Sequence, residues 1–339
     1  MRLSAIAIDD AAKSETTDLP SASPYTLLTK RQRHCLAVII GIATMFSPLA
    51  ANIYLPCVPR LRDEFHTTLQ SINLTITAYI LVQGIAPTFF TQLAEKLGRR
   101  PVYLLTFSIF VLSSLALSLQ HSYVALLVLR MVQSLGASVS TSIGYAVIAD
   151  VSTPAERGKM IAPIMFTVNL GPILAPIIGG PLCGNTNWRW IFRLLTILGV
   201  AFLISITILL PETNRKIVGN GGIEASGVNR PVLPFLIPKA HNYEKRQKVQ
   251  YSSNWAKAKA IMPNPFKSVA LVFQKDTFLV LYLAGSFYMM YYVVQGSLPT
   301  LFKEAYGFNE TKIGLCYLTL SVGVVISSQI QGASQRQIK

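Results

Sequence analysis

Charged side chains are scarce in this 339-residue chain: Asp, Glu, Lys and Arg make up only 13% of it, whereas hydrophobic residues make up 51%. A soluble domain of this length has too little interior for so many apolar side chains. The apolar residues come in blocks of roughly 20, the length at which an α-helix crosses the ~30 Å hydrocarbon layer of a bilayer. The scarcity of charge therefore excludes an ordinary soluble fold and indicates an all-α membrane protein.

Cysteine and histidine are also rare. Cys35, Cys57, Cys183 and Cys316 are far apart and include no CxxC pair, so the sequence predicts neither a zinc site nor a disulfide framework. The four histidines are scattered, and no group of His, Cys or carboxylate residues has the spacing of a metal site or an activated nucleophile. We therefore expect no enzyme activity, no metal and no cofactor.

The net charge of +15 does not indicate a nucleic-acid partner, because the basic residues lie between the apolar blocks rather than among exposed aromatic residues. Cationic gaps of this kind mark the cytoplasmic side of membrane helices. They precede the first predicted span and lie after the second, fourth and sixth, so both termini are expected in the cytoplasm of a multi-pass protein of the plasma membrane. The predicted spans are 35–57, 71–93, 101–120, 123–148, 160–183, 190–210, 277–300 and 313–331.

These spans divide the chain into two unequal parts. The predicted organisation is a disordered cytoplasmic tail (1–33), a six-helix bundle (34–211), a basic cytoplasmic linker (212–275), two helices of a second bundle (276–331) and a final tail (332–339). Two helical bundles that rock about a central site are typical of secondary transporters. No cleaved signal peptide is expected before the first span.

The fourth span carries a charge inside the membrane. Arg130 lies about seven residues into the span, where exposure to lipid would cost at least ~2.5 to 3.5 kcal/mol, so we expect it to face the bundle interior. A polar stripe follows at spacings of three or four residues and is the best candidate for a cavity wall: Gln133, Ser134, Ser138, Thr141 and Tyr145. The alternative is that Arg130 extends to the outer interface or ties helices together structurally.

In the fifth span, Gly171, Ala175 and Gly179 recur at every fourth residue, a pattern that lets a neighbouring backbone approach closely. Pro172 and Pro176 remove hydrogen-bond donors and are expected to bend the helix, and Gly180 extends its smooth surface. Such a helix suits a surface on which two bundles rock. Static packing is an equally good explanation.

A cluster of charges lies between the second and third spans. Glu95 is close in sequence to Lys96, Gly98, Arg99 and Arg100, and Pro101 fits the first turn of the next helix. Together with Arg157, in the next gap on the same side, these residues are predicted to latch the bundle in one state. In isolation such a charge run is more often a solvated turn.

The seventh span is rich in aromatic residues, and four polar or aromatic side chains share one of its faces: Tyr288, Tyr291, Tyr292 and Gln295. These rings are suited to hold a flat cationic substrate by cation–π contact. Anchoring at the membrane interface explains them at least as well.

The chain resembles the fungal 12-spanner drug/proton antiporters of the major facilitator superfamily, especially the quinidine-resistance-like branch, over about residues 34–330. The matching segments are 47–56, 98–101, Arg130 with Gln133 and Gly136, 156–158, 171–180, 188–192 and 211–213. The run 217–222 further favours that branch. The resemblance implies proton-driven export of a small organic molecule, with a lipophilic cation, a polyamine or an organic acid as the substrate.

Three departures from the family pattern matter. Thr91 replaces the usual glycine and Glu95 the usual aspartate of the cytoplasmic signature. Family members have four more helices, so the resemblance implies a chain truncated after the eighth. No Asp or Glu lies mid-span, which leaves Asp150, Glu95 or absent helices as proton carrier, or no coupling. The alternative function is a non-transporting fragment or regulatory membrane protein that associates with a full-length relative.

Overall fold

The structure is a computed structural model that describes residues 25–223, 227–230, 272–319 and 323. The described residues form helices joined by short turns. In chain order the helices are α1 (Lys30–Asn52), a 3₁₀ turn (Leu55–Cys57), α2 (Val58–Glu64), α3 (Leu69–Leu97), α4 (Arg99–Leu119), α5 (Tyr123–Val151), α6 (Pro154–Asn185), α7 (Arg189–Leu209), α8 (Arg215–Val218), a 3₁₀ turn (Gly227–Asn229), α9 (Lys275–Tyr306) and α10 (310–319).

Seven segments among the described residues are long and apolar enough to cross a membrane: α1 with α2 as one unit, then α3, α4, α5, α6, α7 and α9. They coincide with the first seven predicted spans, which confirms the all-α membrane fold. The eighth span, 313–331, is described only as far as residue 319, apart from residue 323. Residues 1–24, the final tail and most of the 212–275 linker lie outside the described residues, so those domain predictions stay predictions. Within the predicted first tail, the structure describes residues 25–33, and α1 already begins at Lys30.

The helix ends follow from local sequence. Thr29 caps α1 by accepting a hydrogen bond from the backbone N–H of Gln32, whose side chain bonds back to the Thr29 N–H. Gly98, at a φ of 116°, makes the sharp break between α3 and α4 that a residue with a Cβ rarely adopts. Gly307 ends α9 in the left-handed conformation.

Aromatic rings at the centre of the bundle join three helices. Phe46 of α1 lies edge-on to Phe107 and Phe110 of α4, with centroids 5.4 and 5.6 Å away. Phe202 of α7 completes the cluster, with its centroid 5.0 Å from that of Phe107. Edge-to-face pairs of this kind add to the packing energy. The cluster therefore packs α1, α4 and α7 against one another.

Many large apolar side chains point away from the bundle. Leu81, Leu112, Leu119, Val124 and Phe166 are each more than half exposed. In water such a surface would drive aggregation, whereas lipid tails solvate it. The outward-facing residues thus fit a protein that lies in a bilayer.

Candidate functional site

A cavity of about 270 Å³ lies where α9 meets the six-helix bundle. Its wall comes from α1, α6, α9 and α10, and the α6 and α9 residues belong to the middle turns of their helices. The lining residues are Pro48, Val168, Asn169, Pro172, Ile173, Tyr288, Tyr291, Tyr292, Gln295 and Tyr317. Three predicted pathway residues, Tyr288, Tyr292 and Gln295, are therefore brought together here, and none of the lining residues is charged.

Hydrogen bonds fix the polar groups of this cavity. The Gln295 amide donates to the Tyr291 hydroxyl over 2.8 Å, and the Tyr317 hydroxyl donates to the Gln295 backbone carbonyl over 2.6 Å. The hydroxyl of Tyr288 donates to that of Tyr292 over 3.3 Å. The Gln295 side-chain oxygen is buried and has no hydrogen-bond partner in the part of the chain that the structure describes. Because a buried acceptor without a donor costs about 1 to 3 kcal/mol, this oxygen favours a ligand that donates a hydrogen bond.

A larger cavity, of about 760 Å³, lies between α3 and α9. Tyr288 and Tyr292 line both cavities, so the two spaces share a wall. The larger one is mostly apolar, with Asn73, Thr77, Ser297, Thr300 and Glu304 among its polar members. The tyrosine pair thus lies between a smaller, more enclosed space and a wider one.

Arg130 is fully buried inside the bundle and lines neither of these cavities. Its guanidinium lies between two rings, 4.2 Å from the centroid of Tyr54 and 4.4 Å from that of Tyr79. It donates to the Ala50 carbonyl over 2.9 Å and to the Gln133 side chain over 2.7 Å. No described carboxylate lies within 4.0 Å of it, so the rings and carbonyl dipoles hold the charge.

The rest of the predicted stripe also belongs to the bundle. The Gln133 amide donates to Ser114, and the Ser134 hydroxyl donates to the Tyr79 carbonyl. Ser138 is buried with no hydrogen-bond partner among the described residues, and Tyr145 contacts the Met165 sulfur at 3.7 Å. Gln133, Ser134 and Ser138 are buried inside the bundle, Tyr145 is only partly buried, and none of the four lines either cavity.

The glycines of α6 mark two kinds of contact. A Cβ on Gly171 would lie 2.8 Å from Pro48 of α1, and one on Gly179 would overlap the Ile53 carbonyl oxygen, so α1 and α6 touch backbone to backbone. Gly180 faces α10: its Cβ would lie 2.7 Å from the Glu310 oxygen, and one on Gly314 would lie 2.5 Å from the Pro176 oxygen. The same helix thus packs inside its own bundle and against a helix of the second. We call the Gly180–Gly314 contact the glycine seam.

Glu212 follows α7, and its carboxylate lies at the N-terminus of α4. Its carboxylate accepts hydrogen bonds from the backbone N–H groups of Arg99 (2.9 Å), Arg100 (3.2 Å), Thr213 (2.9 Å) and Asn214 (2.8 Å). A carboxylate at a helix N-terminus also compensates the positive end of the helix dipole. Burial raises the pKa of Glu212 above its ordinary 4.5, and the four backbone hydrogen bonds oppose that shift.

The predicted latch residues find different partners. Arg99 forms an ion pair with Asp150 of α5 at 3.1 Å, and the Arg100 guanidinium donates to the carbonyls of Leu210 and Thr207. Glu95 contacts Lys216 at 3.3 Å, and both side chains are largely exposed. Arg157 makes no ion pair with any described carboxylate. Sequence analysis missed Glu212 as the acceptor for α4, because 113 residues separate it from Arg99.

The family model of the Major Facilitator Superfamily matches residues 40–336. This chain belongs to that superfamily. The chain is 34% identical to the MFS-type transporter phiD of a fungal species. The match covers 95% of this chain and 48% of phiD. The chain is 31% identical to citrate exporter 1 of Aspergillus niger (91% and 58%) and 33% identical to the MFS antiporter QDR2 of Candida albicans (92% and 61%). The chain thus spans about half the length of the curated relatives it matches.

Solved structures show the same fold. A bacterial homologue of the human lysosomal transporter Spinster, in an inward-facing and unoccupied conformation, matches 92% of the chain and 64% of its own with a TM-score of 0.63 at 14% identity. The human organic anion transporter MFSD10 matches 87% and 70% with a TM-score of 0.54 at 17% identity. The similarity confirms the major facilitator fold.

Proposed function

We propose that this chain belongs to an alternating-access secondary transporter that exports small lipophilic molecules across the plasma membrane in exchange for protons, with both termini in the cytoplasm. The observation that carries the proposal is the cavity lined by Tyr288, Tyr291, Tyr292 and Gln295, where the first helix of the second bundle meets the first bundle. Transporters of this architecture bind substrate at the interface of their two halves. The name of one relative, citrate exporter 1, supports export, and that of another, the MFS antiporter QDR2, supports exchange without naming a substrate.

The chemistry of the cavity narrows the substrate class. No carboxylate lines it to bind a polyamine, and no Lys or Arg lines it to bind a multiply charged acid such as citrate. The tyrosine faces suit a flat ring, with or without a single positive charge, and the unpartnered Gln295 oxygen suits a hydrogen-bond donor. We therefore propose a lipophilic ring compound that carries at most one charge and an N–H or O–H group.

The contact between α6 and α10 supports alternating access. On the side away from Glu212, the glycine seam brings α6 and α10 together without any side chain between them. At these two glycines only backbone atoms are in contact, and the nearby ion pair between Lys303 and Asp63 is long, at 4.0 Å. We propose that this seam closes the outer end of the pathway and opens when the second bundle rocks away.

Proton exchange needs a group that titrates, and Asp150 is the carrier that we propose. Its carboxylate pairs with Arg99 at 3.1 Å, near the Glu212 cap at the cytoplasmic end. Protonation would neutralise Asp150 and release the Arg99 guanidinium. The pair therefore links a protonation event to the start of α4.

Transport by purified protein in proteoliposomes tests the function. With a proton gradient imposed, a flat monocationic dye such as ethidium is expected to move, whereas spermidine and citrate are not. Tyr291→Ala, which removes a ring from the cavity, is expected to lower dye flux at least ~10-fold. Tyr282→Ala is the matched control, because this tyrosine lies on the same helix but is 68% exposed. Equal flux in both variants would contradict the proposed site.

The coupling proposal has a separate test. Asp150→Asn is expected to abolish gradient-driven uptake while dye exchange without a gradient persists. Substituted-cysteine labelling from each side of the cell tests the orientation: a cysteine at position 216 is expected to react only from the cytoplasm. Labelling from outside would contradict the proposed topology.

One observation favours a second function, that of a membrane subunit that associates with a related chain. Among the residues of α9, only Gln295 and Pro299 are buried. If the purified chain carried no dye but regained flux when co-expressed with a full-length relative, the subunit function would replace the transporter function.

A further inference from the structure

Two of the cysteines that are far apart in sequence meet at the outer end of the bundle. Cys57 ends the 3₁₀ turn after α1, and Cys183 lies in the last turn of α6. Both are fully buried thiols, and their side chains lie close enough to interact directly. Cys35 and Cys316 are partly exposed and lie elsewhere in the fold.

The backbone explains why these two side chains meet. Cys57 follows Ile53 by four residues, and Cys183 follows Gly179 by four residues. Because Gly179 has no Cβ, the Ile53 carbonyl lies directly against α6 at this level. Closer to the end of α6, Arg60 provides a second contact: its guanidinium donates to the carbonyls of Cys183 and Thr186. The cysteine pair is therefore enclosed between two fixed contacts.

We propose that Cys57 and Cys183 form a disulfide that staples the α1–α2 corner to the end of α6. The inference rests on the orientation proposed above, which places this end outside the cytoplasm, where disulfides persist. The oxidant is the disulfide of a dithiol–disulfide oxidoreductase of the secretory pathway. One cysteine thiolate attacks that disulfide and releases one of its thiolates; the second cysteine thiolate then attacks the mixed disulfide and releases the other.

The balance of this exchange is complete. The two cysteine sulfurs form one S–S bond and give up two protons, and the oxidoreductase disulfide takes up the two electrons and becomes a dithiol. Since both thiols are buried in the folded bundle, the exchange takes place before the corner packs onto α6. Both cysteines belong to the first bundle, so the staple leaves the glycine seam free to open.

Counting free thiols tests the proposal. Membranes of cells that express the full chain are acid-quenched, denatured and treated with a polyethylene-glycol maleimide, with and without prior reduction. The expected result is two labels on the wild-type protein before reduction and four after it. Cys35→Ser with Cys316→Ser is expected to take no label before reduction and two after it. Four labels on unreduced wild-type protein would overturn the inference.

Two further measurements make the test specific. Cys57→Ser is expected to take three labels before and after reduction, and reductant is expected to lower the unfolding temperature of the wild-type protein but not of this variant. If Cys57→Ser does not fold, the double variant Cys35→Ser with Cys316→Ser still tests the disulfide. A reduced pair with residue 216 in the cytoplasm would overturn the disulfide alone; a reduced pair with residue 216 outside would overturn the orientation and the disulfide together.

Discussion

The two ends of the six-helix bundle are held by different interactions. At the end near Glu212, charged groups and backbone N–H donors converge, and every partner belongs to the first bundle or to the segment directly after it. At the other end, α6 meets α10 through Gly180 and Gly314, and the atoms in contact belong to the backbone. Directional bonds thus hold the end near Glu212. At the other end, backbone contacts at the glycine seam join helices of different bundles, beside a long ion pair of 4.0 Å between Lys303 of α9 and Asp63 of α2.

This difference teaches where rigidity is needed. Moving the buried Glu212 carboxylate away from its hydrogen-bond donors would leave several of them unpaired. The helices at the Glu212 end therefore resist separation. Parting two glycine surfaces costs only dispersion contacts, and lipid or substrate replaces many of those. Four substitutions sharpen or break the comparison, and they follow in order of expected effect.

Gly179→Ala is expected to have the largest effect. The new methyl group would overlap the Ile53 carbonyl, a backbone atom inside the bundle, and the two helices would have to move apart. We expect a loss of more than about 4 kcal/mol and a monodisperse yield at least ~10-fold lower by fluorescence-detected size-exclusion chromatography. Gly158→Ala, on the same helix with no atom within 4 Å of the new Cβ, is the control and is expected to match the wild type.

Glu212→Ala is expected to cost about 3 kcal/mol, because the N–H groups of Arg99, Arg100, Thr213 and Asn214 lose their acceptor in a buried site. Glu95→Ala removes a carboxylate with one exposed contact and is expected to cost less than about 0.5 kcal/mol. Thermal unfolding in detergent compares the two variants. Equal losses would mean that the four backbone hydrogen bonds of Glu212 add no stability beyond that of an exposed contact.

Gly314→Ala is expected to change transport more than stability. Its methyl group would lie 2.5 Å from the Pro176 carbonyl, but α10 is free to shift because it belongs to the other bundle. A shift of about 1.4 kcal/mol in the conformational equilibrium corresponds to a tenfold change in flux. Dye uptake is therefore expected to change about 10-fold while unfolding stays within about 1 kcal/mol. Gly84→Ala, on α3 with no atom within 4 Å of the new Cβ, is the control. A loss of stability in Gly314→Ala like that of Gly179→Ala would contradict the distinction between the two contacts.

The smallest expected effect is the pH dependence at Glu212. Its pKa is raised by burial, so the folded state binds the proton more tightly than the unfolded chain does. The stability from this group is therefore fully present below the ordinary pKa of 4.5 and is lost as pH rises through the raised value. The stability of the wild type minus that of Glu212→Gln is expected to fall with rising pH from about 4 to 7. A difference that grew with pH would mean that the backbone hydrogen bonds outweigh burial.

Hydropathy predicted most of the fold, because helices in lipid must satisfy their backbones internally and their lengths follow the membrane thickness. The partners of individual side chains could not be predicted in the same way. The cost of a charge in lipid indicated that Arg130 would lie inside the bundle, but the rings on either side of it, Tyr54 and Tyr79, come from other parts of the chain. Their positions depend on helix rotation, which one sequence does not determine.

The site shows the same limit. The shared face of Tyr288, Tyr291, Tyr292 and Gln295 is a matter of helical spacing, and the structure brings these residues to one cavity. Glu212 was visible only as part of the Pro-Glu-Thr match, because nothing near it in sequence indicates that it caps α4. Contacts between residues close in sequence could therefore be predicted from the sequence, whereas contacts between distant residues could be seen only in the packed bundle.

The prolines of α6 have a consequence for the breadth of recognition. Pro172 and Pro176 cannot donate to the carbonyls four residues before them, which belong to Val168 and Pro172, and both of these residues line the 270 Å³ cavity. Main-chain oxygens freed in this way persist through almost any side-chain replacement. In the proposed transporter, changes of side chain in the wall would alter the shape of the cavity while these backbone acceptors stay in place. Selection could then change which molecules fit without rebuilding the polar chemistry.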